Sequence, residues 1–364
     1  METELAVIGS GPGGLSAAIE AAKFGVKVAV VDENPKPGGQ LFKQIHKFFG
    51  SEKHKAGVRG IDIGNQLLQQ CQDFNVDLFL NTEAWAIFDN GKALGLKRGT
   101  DKIEKLSTKK LVLATGAMEN SLAFPGWTLP GVLGAGGIQT LMNLHRVLPG
   151  QRVLIVGTGN VGLIVSYQLI QAGAEVVAVI DILPKIGGWG VHASKIRRLG
   201  TPILTFHTVK EATGNGEVKG AVIAKVGPGY KIIQGTEREL KVDTIGIAVG
   251  LTPMAELAWS AGCQLAHVPE LGGWVPVHNE RMETTLKDIY VVGDVCGIGE
   301  ASTAMEEGQI SGIAAAESLG YLKRGKAEEL LEERRKGLDT LRGGPFATHT
   351  KAGKGKLMKR YYKS

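Results

Sequence analysis

The sequence predicts an α/β fold of two three-layer (ββα) units, the second inserted into a discontinuous first. Three observations carry this. A strand–glycine turn–helix–strand pattern occurs twice, over residues 5–32 and 152–181. Each copy is followed by short alternating strands, and each half then closes on an apolar strand and a glycine. The 364 residues leave room for two cores of ordinary size.

The first unit opens with strand Leu5–Ile8, the run Gly9-Ser-Gly-Pro-Gly-Gly14, a helix to about Phe24 and strand Lys27–Val31 ending at Asp32. The second repeats it with Arg152–Val156, Gly157-Thr-Gly-Asn-Val-Gly162, a helix to about Gly173 and strand Glu175–Ile180 ending at Asp181. These strands are apolar enough for burial on both faces, as in a parallel sheet. Alternating strands follow at Val76–Leu80, Ala84–Phe88, Ala93–Arg98 and Lys102–Leu106, punctuated by Asp89-Asn90-Gly91. Their counterparts are Ile203–Thr208, Glu217–Lys225 and Lys231–Leu240, punctuated by Gly214-Asn215-Gly216 and Gly227-Pro228-Gly229. The closing strands run Leu111–Gly116 and Thr244–Gly250. Phe124-Pro125-Gly126 and Thr252-Pro253 mark the seams. The expected division is a first domain of 1–118 with 247–325, an inserted domain of 119–246, and a basic tail of 326–364. That tail begins as a charged helix and ends in Gly/Lys-rich sequence expected to be weakly ordered.

Composition excludes several function classes. The apolar fraction of 43% and charged fraction of 21% fit a globular chain. The formal charge of +6 does not point to nucleic acid, because residues 321–364 hold 13 Lys/Arg against 5 Asp/Glu while the remainder holds 29 against 31. The basic tail reads as a solvated segment, with docking onto an acidic partner as the alternative. Cys71, Cys263 and Cys296 are far apart, which fits a reducing cytoplasm and gives neither a disulfide framework nor a metal site. No signal peptide is read at the N-terminus. The uncharged stretch Val153–Ala174 has the length of a membrane span, but its glycines place a strand-to-helix turn there instead, so no span is expected.

The two glycine runs carry the chemistry. Each has a strand before it, a helix after it and an acid ending the next strand, the Rossmann-like dinucleotide-binding arrangement. Gly9 permits the tight turn, Gly11 lets backbone approach a diphosphate, and Gly14 lets helix and strand pack closely. With Pro12 and Gly13 the helix then presents free N–H groups and its positive dipole end. Asp32, with Glu33 beside it, is placed to accept hydrogen bonds from ribose hydroxyls. Gly157, Gly159, Asn160 and Gly162 should cradle a second diphosphate. Asp181 there disfavours a 2′-phosphate, so NAD is preferred over NADP. A relic site holding another adenine nucleotide, or nothing, is the alternative.

The far end of the chain adds a resemblance. Thr285–Asp294, a strand ending in Gly-Asp, resembles the second FAD signature of the glutathione/thioredoxin reductase superfamily. The resemblance implies that Asp294 hydrogen-bonds the flavin's ribityl hydroxyl, that Gly293 allows the approach, and that a helix over Ser302–Leu319 faces the flavin. Pro37-Gly38-Gly39-Gln40 is similar to that family's segment beside the diphosphate, which implicates Gly39 and Gln40. Ala114-Thr115-Gly116 is similar to its crossover, which implicates Thr115 and Gly116. The superfamily's pair of closely spaced cysteines is missing, both after Gly39 and in Gly134–Gln139, so disulfide reduction is excluded. His46 and His54 lie in a Lys/Phe-rich stretch, Lys43–Arg59, that reads as a partly amphipathic helix and loop, where each is more often a surface or packing histidine than a base. Gln40, Glu119 and Glu306 are polar residues near expected cofactor contacts, but no acid–base set emerges and the catalytic residues stay unassigned. Flavin chemistry demands alignment more than an acid–base pair.

Gly38–Gln44, Ala114–Ser121 with Phe124-Pro125-Gly126, and Gly131–Gly137 resemble more particularly the FAD-binding α subunits of multi-subunit amino-acid and amine dehydrogenases. These include proline and hydroxyproline dehydrogenases, opine oxidases, hydrogen cyanide synthase and part of the sarcosine oxidase α chain. Leu341–Phe346 resembles what precedes their C-terminal region. The resemblance implies an FAD-dependent oxidoreductase that works in an oligomer, partnered by a second flavoprotein, with NAD(H) or another adenine nucleotide at the second site. Many such subunits continue into a cysteine-rich cluster-binding domain; this sequence ends in Lys351–Ser364 without a cysteine, so either a separate small iron–sulfur protein supplies the cluster or this chain works without one. Two alternatives stay open: a self-sufficient NAD(P)H-dependent reductase passing electrons to ferredoxin, quinone or oxygen, and an assembly protein whose flavin does not turn over.

Overall fold

The computed structural model describes residues 1–99, 102–344 and 347–363. The chain divides into two compact units, Met1–Met118 with Thr252–Ser364, and Glu119–Leu251. In chain order the first unit begins with strand Leu5–Ile8, helix α1 (Pro12–Ala22), strand Val28–Val31, helix α2 (Gly60–Asp73) and strand Asp77–Phe79. An antiparallel ribbon of Thr82–Phe88, Ala93–Arg98 and Lys102–Ser107 follows, then strand Lys110–Leu113. The second unit carries strand Val132–Gly134, helix α3 (Ala135–Asn143), strand Arg152–Val156, helix α4 (Asn160–Gln171), strand Glu175–Ile180, helix α5 (Gly190–Arg198) and strand Ile203–Leu204. Its ribbon of His207–Thr213, Gly220–Lys225 and Arg238–Leu240 leads into strand Thr244–Ile247. Back in the first unit come helix α6 (Glu256–Ser260), the hairpin Leu265–Val268/Gly273–Pro276, strand Ile289–Val291, and helices α7 (Ala301–Ser318), α8 (Arg324–Leu341) and α9 (Thr348–Tyr361).

The two parallel sheets share one arrangement of four strands and differ in the fifth, an edge strand that comes last in the first unit and first in the second. The first is ordered Ile289–Val291, Lys110–Leu113, Leu5–Ile8, Val28–Val31, Asp77–Phe79. The second is ordered Val132–Gly134, Thr244–Ile247, Arg152–Val156, Glu175–Ile180, Ile203–Leu204. Side chains alternate across a strand, and in the second unit this sorts the core into two clusters. Leu154, Val156, Ala178 and Ile180 pack with Val209, Ala221 and Ile223 of the ribbon. Val153, Ile155, Val176 and Val179 pack with Ile138, Leu163, Leu169 and Ile196 of the helices. Sheet between ribbon and helices is the three-layer arrangement that the doubly buried strands demand. The uncharged stretch Val153–Ala174 is strand, turn and α4, and among the described residues no helix is long and apolar enough to cross a membrane.

Some expectations need correction. The second seam lies at Leu251/Thr252 and not at 247, because strand Thr244–Ile247 pairs with Arg152–Val156 and Gly250 turns the chain only afterwards, at φ 120°. Lys43–Arg59 holds only the short 3-10 helix Glu52–His54 and the end of Gly39–Lys43, since Gly50, Lys55 and Gly57 take positive φ and interrupt any helix. Ile203–Thr208 splits between the sheet and the ribbon, with Phe206 at φ 55° between them. Of Lys231–Leu240, only Arg238–Leu240 is strand. The end of the tail is ordered: α9 buries Leu357 against Ala266, Leu271 and Val275. Of the run Leu341–Phe346, positions 345 and 346 lie outside the described residues.

Candidate functional site: two nucleotide cradles

The loops expected to bind nucleotide leave the carboxyl ends of the parallel strands, where open α/β sheets bind ligands. In the first unit they converge on the start of α1. Gly9 has φ 102°, and a Cβ there would lie 2.3 Å from the Ala114 carbonyl oxygen, so only glycine permits the turn beside the crossover strand. A Cβ on Gly14 would fall 1.9 Å from the Gly9 oxygen. Gly11 differs. It is the N-cap of α1, no side chain caps that helix, and a Cβ on it would meet no chain atom within 4 Å. Packing therefore does not demand glycine at Gly11, whereas an anion on the free N–H groups would.

The other predicted residues surround the same place. Pro12 is the first helical residue, and a Cβ on Gly13 would sit 3.2 Å from Val292. Gly39, at φ 54°, lies against Gly11, and Gly38 N–H donates to the Ser10 oxygen at 2.8 Å. Gln40 and Glu33 are exposed. Thr115 donates its hydroxyl to the Met254 oxygen at 2.7 Å, and Gly116 follows at φ 77°. Gly293, at φ 75°, turns the chain into Asp294, whose carboxylate accepts from Gly299 N–H at 3.0 Å. Burial, together with the nearby carboxylates of Glu307 and Glu300, pushes the Asp294 carboxyl up to about 6.

Asp32 shows what sequence reasoning missed. One oxygen accepts from Ser10 N–H at 2.7 Å and from the Ser10 hydroxyl at 2.5 Å. The other accepts from Asn34 N–H at 2.8 Å and from its side-chain amide at 2.9 Å. The acid thus clamps the glycine loop to the turn after its own strand, with both carboxylate oxygens accepting two hydrogen bonds each.

The second unit repeats this construction. Gly157 has φ 117°, and a Cβ would lie 2.1 Å from the Ala248 oxygen. A Cβ on Gly162 would lie 2.1 Å from the Gly157 oxygen. Gly159 is the uncapped N-cap of α4, again with nothing within 4 Å of a Cβ. Asp181 accepts from Thr158 N–H at 2.7 Å, from its hydroxyl at 2.5 Å and from Leu183 N–H at 2.9 Å. Thr158 therefore stands where Ser10 stands. Beyond it, Gly188 N–H donates to the Thr158 oxygen at 2.8 Å, and Asn160 Oδ1 accepts from Trp189 N–H at 2.9 Å. The signal was in the sequence: Asp32-Glu-Asn-Pro-Lys-Pro-Gly-Gly39 and Asp181-Ile-Leu-Pro-Lys-Ile-Gly-Gly188 share the pattern Asp-x-x-Pro-Lys-x-Gly-Gly.

Residues 3–308 match the pyridine nucleotide-disulphide oxidoreductase family. The chain belongs to that family. It is an FAD-dependent oxidoreductase with sites for FAD and for a nicotinamide or other adenine nucleotide. It is 30% identical over 338 residues to an opine oxidase subunit of Agrobacterium tumefaciens (strain Ach5), covering 87% of this chain and 66% of that one. It is 28% identical over 334 residues to hydrogen cyanide synthase subunit HcnB of Pseudomonas aeruginosa, covering 85% of this chain and 69% of that one. The L-proline dehydrogenase from P. horikoshii superposes with a TM-score of 0.69 at 24% identity, covering 92% of this chain and 59% of that chain, a likeness of fold. The chain thus spans about two thirds of the length of the curated relatives it matches.

This family member departs from the disulphide chemistry in its family's description. Cys71, Cys263 and Cys296 are all free and buried. Burial pushes the thiols of Cys71 and Cys296 up to about 12 and raises that of Cys263, so none is a ready thiolate. The remaining polar candidates have structural duties. His54 bonds Ser51 at 2.8 Å and Glu306 at 3.1 Å, both His54 and Glu306 being buried. Glu119 accepts from Gly136 N–H at 2.6 Å at the start of α3. His46 stacks on Phe48.

Proposed function

We propose that this chain is the electron-handling FAD subunit of an amino-acid or secondary-amine dehydrogenase complex. The observation that carries the reading is the pairing of two nucleotide cradles with three buried, unpaired cysteines. Such a chain can hold a flavin and a second adenine nucleotide, but cannot pass electrons through its own disulfide. The named relatives support the rest, since they are subunits of an opine oxidase and of hydrogen cyanide synthase. Gly9–Gly14, Asp32, Glu33, Gly39, Gln40, Thr115, Gly116, Gly293 and Asp294 would hold the FAD. The flavin would supply the electron-accepting chemistry; the chain would supply the diphosphate-binding N–H groups, the Asp32 that fixes their loop and the Asp294 carboxylate. Gly157, Gly159, Asn160, Gly162 and Asp181 would hold the second nucleotide. A second flavoprotein would oxidise the amine, with a small iron–sulfur protein as a further partner.

A self-sufficient NAD(P)H-dependent reductase is the second reading, favoured by the completeness of the cradle around Gly159. Anaerobic reduction separates the two. Bleaching of the oxidised-flavin absorbance by NADH alone supports the reductase. Bleaching by proline, hydroxyproline or sarcosine only after a co-purifying partner is restored supports the dehydrogenase complex.

A further inference from the structure

Helix α9 carries Lys351, Lys354, Lys356 and Lys359, and Lys354 stands apart from the others. Lys351, Lys356 and Lys359 are exposed, whereas Lys354 is 4% exposed. Its ammonium has three N–H donors and finds three acceptors: Glu307 Oε1 at 2.9 Å, Cys296 Sγ at 3.2 Å and His278 Nε2 at 3.4 Å. His278 Nδ1 lies 2.9 Å from the Pro276 oxygen and donates to it, which leaves Nε2 as the acceptor. Burial and the Lys354 charge hold that imidazole down at about 3, so it stays neutral. A buried lysine with every donor matched is a placed residue, because an unpaired ammonium would not tolerate that burial.

What Lys354 holds leads to the cofactor. Glu307 is 2% exposed, and its second oxygen accepts from Gly293 N–H at 2.9 Å. Arg342, just past α8, also bonds this carboxylate. Burial works against the ionised form, but Lys354 and Arg342 bring Glu307 down to about 2. The carboxylate is thus a fixed anion pinning the turn from which Asp294 projects. Lys354 also acts on Asp294 directly, since its charge favours the ionised carboxylate while Glu307 opposes it.

We propose that Lys354 is a positioning residue for FAD: delivered by the C-terminal helix, it locks Glu307 onto the Gly293 turn and so holds Asp294 in place. This rests on the assignment of Asp294 to the flavin. The basic C-terminal segment is then part of the flavin site, and its fold and cofactor retention are coupled.

The test is titration of FAD into apo-protein, followed by quenching of flavin fluorescence, from about pH 5.5 to about pH 8. In Lys354→Met we expect the FAD Kd to rise about tenfold or more. The pH below which binding weakens should also move upward, which loss of packing alone would not produce. Lys354→Gln still donates to Glu307 without charge and should show the pH shift with a smaller loss of affinity; it carries the test if the methionine variant does not fold. A Kd within about twofold of wild type together with an unmoved pH midpoint in a folded variant would overturn the proposal. Asp294→Ala, run alongside, separates the two claims. Wild-type affinity in that variant overturns the assignment of Asp294 and this path with it; weakened affinity there, with wild-type behaviour in the lysine variants, overturns the role of Lys354 alone.

Discussion

Gly11 and Gly14 look equivalent in the glycine run, yet they answer to different constraints. Gly11→Ala places its Cβ in open space and should leave apo-protein stability nearly unchanged while weakening FAD binding. Gly14→Ala drives its Cβ to 1.9 Å from backbone and should destabilise the fold by about 3 kcal/mol or more. Chemical denaturation of both apo-variants, beside FAD titration, checks the contrast. Asp294 carries a second residue-scale expectation. Its carboxyl is raised from 3.8 to about 6, so the folded chain prefers it protonated and its contribution to stability falls as pH rises through that window. Above it the cost is roughly 3 kcal/mol. Asp294→Asn should therefore stabilise apo-protein at pH 7, lose that advantage in acid, and bind FAD more weakly. Urea unfolding at neutral and acidic pH reads the sign.

At the scale of elements, α1 and α7 pack unusually close. A Cβ on Gly308 would lie 2.2 Å from the Gly13 oxygen, and one on Gly312 would lie 2.5 Å from the Ala17 oxygen. The two helices meet backbone to backbone, which places the start of α7 beside the start of α1, where the flavin segments converge. Gly308→Val should push them apart, costing about 3 kcal/mol and lowering flavin occupancy. Loss of the visible flavin spectrum together with a lowered unfolding temperature is the expected result; retention of both would show that α7 can shift without disturbing the site. A capping box of Glu300 and Thr303 closes the N-terminus of α7, in contrast to the uncapped starts of α1 and α4.

For the whole molecule, the duplicated topology predicts that the two cradles can be disabled independently. Gly159→Ala should abolish nucleotide binding at the second site and leave FAD content intact, read by calorimetric titration with NADH and by the flavin absorbance. Loss of FAD as well would mean that the two sites are not separable. The amine-dehydrogenase reading belongs at this scale too, because it requires a partner: isolation from its native source should yield a stable complex containing a second flavoprotein.

Local signals in the chain were enough for the two strand–turn–helix–strand units, their duplication, both glycine turns and the absence of a redox disulfide, but not for helices such as Gly60–Asp73, Ala135–Asn143 and Gly190–Arg198. Those signals are apolar runs, glycines that must adopt positive φ, and the simple count of cysteines. They did not reveal Ser10 and Thr158, because a hydroxyl inside a glycine run looks like a spacer until its acid is seen 2.5 Å away. They also placed the lysine-rich end outside the fold, since a helix with few apolar residues gives no amphipathic signature. Its true place is set by long-range packing. Leu357 and Lys354 make α9 part of the first unit because the acceptors for a buried ammonium come from Glu307, His278 and Cys296, residues distant in sequence and gathered only by the folded chain.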